Sequence, residues 1–91
     1  MRLDKYLKIT RILKRRTQAK EFCDEGKIYI DGRIAKASSN VKVGQVITLD
    51  LQRRKVVFEV LGVPERNVRK SEANTLYKII EVKEKELDDE A

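Results

Sequence analysis

The stretch EGKIYIDGR, residues 25–33, is where the hydrophobic pattern of this chain changes from the period of a helix to that of a strand. Ile28 and Ile30 alternate with Lys27 and Tyr29, a period of two that sets the isoleucines on one face of an extended segment. Asp31-Gly32 then supplies two residues that tolerate the left-handed conformations of a type I′ turn, and Ile34 lies on the returning strand. Gly26, just before the change, predicts a left-handed stop for the helix that precedes it.

Upstream, the period is helical. Thr17 is placed to cap a second helix, in which Ala19, Phe22 and Cys23 fall at i, i+3 and i+4, so Cys23 reads as a small core residue. In RLDKYLKI, residues 2–9, Leu3, Tyr6 and Leu7 repeat that spacing, while Arg2, Lys5 and Lys8 lie off the apolar stripe. Asp4 sits in the first turn, where a carboxylate meets the positive end of the helix dipole and can accept free backbone N–H groups. Ile9, Ile12 and Leu13 carry the apolar thread through a basic connection. Downstream, Val41, Val43, Val46, Ile47, Leu49 and Leu51 predict strand around a turn at Gly44. Gln52 to Lys55 form a polar reversal and Val56 to Leu61 another strand. After a break at Gly62-Val63-Pro64 and a basic loop holding Arg66, Arg69 and Lys70, the β-branched content of Thr75 to Val82 favours a strand over a helix.

Ninety-one residues with 41% hydrophobic content suffice for one core and not two. With 40% charged residues and no tryptophan, that core must be built mainly from Ile, Leu and Val. The single cysteine and absent histidine leave no disulfide framework and no Cys/His zinc site, and no cofactor motif is visible. No apolar run approaches the roughly 18 residues needed to span a bilayer, so a soluble cytoplasmic protein without a membrane partner is expected.

The net charge of +6 points to a polyanionic partner, and its distribution sharpens the inference. Residues 1–20 hold eight Lys or Arg against the one acid Asp4, a balance of +7, whereas residues 84–91 carry five acids against Lys85, a balance of −4. The second segment reads as an acidic disordered tail. A run such as Lys14-Arg15-Arg16 is often no more than a solvated surface. Tyr6 shares the Leu3 and Leu7 stripe and belongs in the core rather than against a base; Tyr29 points off the apolar face and its role is open. Arg53-Arg54-Lys55 reads as a hairpin tip rather than a second nucleic-acid site.

The ordered series RLDKYL, KRRTQAKEF, EGKIYIDGR and VKVGQVITL resembles the RNA-binding domain named after small-subunit ribosomal protein S four, the alpha-L motif. Two departures stand out: Asp31 where the family often has Asn, and Gln45 where Asp commonly follows the glycine. The resemblance implies an α+β fold in which two short packed helices are braced by a β-hairpin, over residues 1–50. Additional antiparallel strands over residues 51–83 extend the same domain, and residues 84–91 form the tail. Carried over position by position, the family's RNA face falls on Arg2, Lys14, Arg15, Arg16 and Lys20, with Asp4 orienting an arginine as well as capping. Guanidinium groups fork two donors onto phosphates or base edges, and packed helices fix their spacing against folded RNA.

Many relatives attach this motif to a catalytic domain, but some thirty further residues leave no room for an active-site pocket, so a non-enzymatic protein is expected. The runs RLDKYLK, LKRRTQAKE, AKASS (35–39) and ANTLYKI (73–79) resemble the stand-alone members that act in ribosome-associated quality control. A heat-shock ribosome-binding group is more distantly similar. The resemblance implies a monomer that docks on obstructed large ribosomal subunits, touching large-subunit rRNA and peptidyl-tRNA near the P site, and that supports an alanine-tailing partner protein. The competing expectation is a ribosome-binding chaperone or regulator of large-subunit assembly intermediates. An RNA-modifying enzyme completed by a separate catalytic subunit ranks third.

Overall fold

The computed structural model of the chain describes residues 1–66 and 68–85. The apolar stripe of the N-terminus forms α1 (Leu3–Ile9), with Leu3, Tyr6 and Leu7 fully buried. Its start is closed by backbone from far along the chain. The Leu3 amide donates to the Ser39 carbonyl at 2.8 Å and the Asp4 amide to the Ala37 carbonyl at 3.1 Å, while Arg2 forms a β-bridge with Asn40. The AKASS run thus satisfies donors that a helix start leaves open, and Asn40, just after it, fixes the backbone of Arg2. Asp4 adds to this closure from the first turn, as expected. Its carboxylate accepts the neighbouring Lys5 amide at 2.7 Å, and otherwise faces two arginines.

At the other end of α1, the buried Thr10 hydroxyl donates to the Tyr6 carbonyl at 2.8 Å, and Arg11 turns the chain with φ +62°. Helix α2 (Arg16–Asp24) begins one residue before the expected cap. Thr17 lies inside its first turn and makes no capping bond, because Arg15 is the extended N-cap and its carbonyl already receives the Gln18 and Ala19 amides. Ala19 and Cys23 are buried, Phe22 only partly, and Gly26 stops the helix with φ +74°.

Strands β1 (Ile28–Ile30) and β2 (Arg33–Ile34) form the expected hairpin, with φ +50° at Asp31 and +83° at Gly32 as a type I′ turn demands. Asp31 also accepts the Val46 amide through Oδ1 at 2.9 Å, and Gln45 Oε1 accepts the Lys42 amide at 2.8 Å, so both departures from the family pattern serve turns. Strand β3 (Val46–Asp50) pairs antiparallel with β1 and with β4 (Arg54–Val60). A single helical turn, α3 (Lys70–Ala73), sits where a basic loop was expected, anchored by buried Ala73, and precedes β5 (Tyr77–Glu84). The antiparallel sheet runs β2-β1-β3-β4-β5.

The core lies where α1 and α2 cover this sheet. Ile28, Ile47, Leu49, Phe58 and Val60 meet Leu3, Tyr6 and Leu7, and Phe58 packs edge-on against Tyr77 with ring centroids 5.6 Å apart. Val43, expected on a strand, is exposed in the turn before β3. Strand β5 is an edge on which Ile79, Ile80 and Val82 are half exposed between charged neighbours, an arrangement that discourages further strand addition. Glu84 still belongs to β5 and the Lys85 amide donates to the Arg53 carbonyl at 2.8 Å, so pairing continues past the expected start of the tail. Residues 86–91, the rest of that tail, lie outside the described residues.

Candidate nucleic-acid interface

A single buried acid brings two of the N-terminal cations together across the helices. Asp4 has a side chain only 7% exposed, and two guanidinium groups converge on it. Arg2 approaches through Nε at 3.3 Å and Nη2 at 3.3 Å; Arg16, from the first turn of α2, donates Nη2 to both carboxylate oxygens at 3.3 and 3.2 Å. The arginine side chains themselves stay about half exposed, at 56% and 47%. Each therefore has donors directed outward while one edge of its plane is held. This is more than the single oriented arginine expected of Asp4, and it ties the two helices together through their charges.

The remaining residues selected by sequence divide into two groups. Lys14 and Arg16 line a groove of about 740 Å³ together with Lys5, Lys8 and Arg11. Arg15 and Lys20 are exposed on the α2 side, and among the described residues they form no ion pair. Lys5, Lys8 and Arg11 were not among the residues carried over from the family. Their charge was visible in the +7 count, but only the fold of residues 9–15 shows that they share a concavity with Lys14 and Arg16. Arg53 and Arg54 stand at the β3–β4 reversal, a separate element, next to the Asp50–Lys85 ion pair.

The supporting groups are held neutral or paired. Tyr6 is fully buried, and desolvation, reinforced by Tyr77, holds its phenol above the usual value; it donates to the Leu76 carbonyl at 2.7 Å, tying α1 to the start of β5. Burial, with lesser help from Asp24 and Asp4, pushes the Cys23 thiol up to about 11, so it behaves as a packing group rather than a nucleophile. The hydrogen bond from Lys85 lowers Asp50 from its ordinary value. Among the described residues no cluster of three or more metal-ligating acids, cysteines or histidines occurs, and no helix is long and apolar enough to cross a membrane.

Residues 1–47 match the family described as the S4 domain. The chain is 48% identical over 79 residues to the RQC P-site tRNA stabilizing factor of Halalkalibacterium halodurans, covering 87% of this chain and 89% of that protein. It is 45% identical over 80 residues to the protein of the same name in Bacillus subtilis, covering 88% and 92%. Its fold is similar to that of heat shock protein 15 of Vibrio cholerae, which was solved as a trimer. That match has a TM-score of 0.76 and 30% identity, over 87% of this chain and 80% of the other.

Proposed function

The chain belongs to the S4 domain family, among the relatives of the RQC P-site tRNA stabilizing factors, and from that premise we propose that it is a non-enzymatic RNA-binding factor of ribosome-associated quality control. It docks as a monomer in the cytoplasm on obstructed large subunits that still hold peptidyl-tRNA. There it contacts large-subunit rRNA and the P-site tRNA, and supports C-terminal alanine tailing of the stalled chain by a partner protein. Its contribution is mechanical: a rigid basic wedge joins two RNAs and steadies the tRNA between rounds of tailing.

The observation that carries this reading is the pair of guanidinium groups fixed by Asp4. Charge alone attracts any polyanion. Two forked donors held on packed helices at set spacing recognise a folded RNA surface, because little side-chain entropy is left to lose on binding. In this reading Arg2 and Arg16 make the oriented contacts, with Lys14, Arg15 and Lys20 adding phosphate contacts around them, and residues 51–83 extend the RNA-binding motif of residues 1–50.

The test is the alanine tail on a stalled reporter in cells carrying Arg16→Ala. Untailed peptidyl-tRNA on split large subunits should accumulate while ordinary translation continues. Normal tailing by a folded variant sinks the reading. Normal subunit binding with lost tailing assigns the arginine to a protein partner, and sedimentation with assembly precursors replaces quality control by the assembly-chaperone reading.

A further inference from the structure

We propose that the groove between α1 and α2 receives an unpaired nucleotide of the bound RNA, its base against an apolar floor and its phosphates on the surrounding cations. This rests on the RNA-binding reading above and adds which form of RNA the face selects.

Four observations carry it. The groove has an apolar floor as well as charged walls: buried Ile9 and Leu13 and half-buried Val68, from the segment before α3, line it beside the cations. The walls are five cations with no carboxylate among the described lining residues. Its volume of about 740 Å³ falls within the roughly 300–1,000 Å³ usual for sites that enclose a small molecule. A double helix presents its phosphates on a convex cylinder, which a flat basic surface meets and which would leave this floor wet. An unstacked nucleotide brings a flat base into the concavity and leaves its flanking phosphates at the rim, the form in which single-stranded RNA is usually read.

A separate observation is Arg11. Its backbone has φ +62°, in the left-handed region where glycine is at ease and an arginine is not. Because α1 must end here for the chain to return toward α2, a glycine would serve the turn at least as well. The arginine side chain instead stands in the groove wall, so an unfavourable backbone position retains a cation at the rim.

The discriminating experiment uses a short RNA stem-loop with 2-aminopurine in its unpaired loop, beside a blunt duplex of the same stem. Arg11→Gly, Val68→Ser and, outside the groove, Lys20→Ala are compared. Glycine suits the Arg11 backbone, and thermal melts confirm that each variant folds. The wild type should bind the stem-loop about tenfold more tightly than the duplex, the gain from burying roughly 55 Å² of one base face against aliphatic carbon, with a change in 2-aminopurine fluorescence. Val68→Ser should lose most of that preference yet keep duplex binding, Arg11→Gly should weaken the stem-loop more than the duplex, and Lys20→Ala should weaken both RNAs alike. The methyl resonances of Ile9, Leu13 and Val68 should shift with the stem-loop and not with adenosine monophosphate. Equal affinity of the wild type for both RNAs, or an equal loss on both in the groove variants, overturns the proposal while leaving RNA binding intact. Methyl shifts with the free nucleotide at low concentration make the ligand a free nucleotide and also overturn it. Failure of the wild type to bind either RNA removes the RNA-binding reading, and this one with it.

Discussion

Replacing Asp4 by Asn separates the two things its carboxylate does, holding arginines and opposing phosphates. The amide oxygen can still accept the Lys5 N–H, which lies 2.7 Å from Oδ1, but it no longer attracts Arg2 and Arg16. Both arginines are about half exposed and regain water, so the two lost pairs together should cost about 0.5–2 kcal/mol of stability. For RNA binding, two arginines released from their held geometry must be ordered on contact, at about 0.5–1.5 kcal/mol each, or roughly 1–3 kcal/mol in all. The opposing gain is the removal of one negative charge. At about 7 Å from a phosphate in water it amounts to roughly 0.6 kcal/mol, and screening at physiological salt leaves about 0.5 kcal/mol for two phosphates. Loss of order therefore wins, and the variant should bind large subunits about 2- to 60-fold more weakly at physiological salt. The deficit should shrink at low salt, where the charge gain is unscreened. Titration of labelled protein against large subunits at two salt concentrations, beside a thermal melt, measures both effects. A folded Asp4→Asn that binds as tightly as the wild type, or more tightly, at physiological salt refutes the idea that Asp4 holds the arginines for RNA.

Three further outcomes follow from the packing. Tyr6→Phe should lose only about 0.5–1.5 kcal/mol in a melt, because the Leu76 carbonyl it leaves still accepts the Leu61 and Gly62 amides; RNA affinity should not change. Leu7→Ala, at a fully buried site, should cost about 2–5 kcal/mol, and the partly buried Phe22→Ala clearly less, as read by denaturant titration. Cys23 should resist thiol reagents at neutral pH until the protein unfolds, and its raised value has a defined sign in stability. The unfolded thiol ionises near 9 and the folded one near 11, so this contribution is intact below pH 9 and is lost as the pH rises from 9 through 11.

What could be read from the sequence was local. The stripe of Leu3, Tyr6 and Leu7, the Asp31-Gly32 turn, the stop at Gly26 and the β-branched run of β5 each follow from a few neighbouring residues, and the structure has them where expected. What could not be read depends on distant backbone. The AKASS run was noted only as a resemblance, and its service as the cap of α1 needs the chain to fold Ala37 and Ser39 back onto Leu3 and Asp4. Thr17 looked like a cap because threonine favours that position; Arg15 takes it instead, which sets Arg16 in the first turn, within reach of Asp4. The single turn of α3 is too short to leave a periodic signal. For the candidate site, the family pattern picked out Arg2, Asp4 and Arg16, whose convergence the structure displays. It passed over Lys5, Lys8 and Arg11, whose meeting with Lys14 and Arg16 depends on the turn at Arg11.

The most direct test of the central claim is the affinity of the wild type and Arg16→Ala for purified large subunits with and without P-site peptidyl-tRNA, across a salt series, with small subunits as the control. The account predicts tighter binding when the tRNA is present and a log–log salt slope of roughly −3 to −5 for about five phosphate contacts. Arg16→Ala should fold and yet lose about 1–3 kcal/mol of affinity, with a slope shallower by about one. Salt-independent binding, equal affinity for small subunits, or an unchanged Arg16→Ala would contradict it.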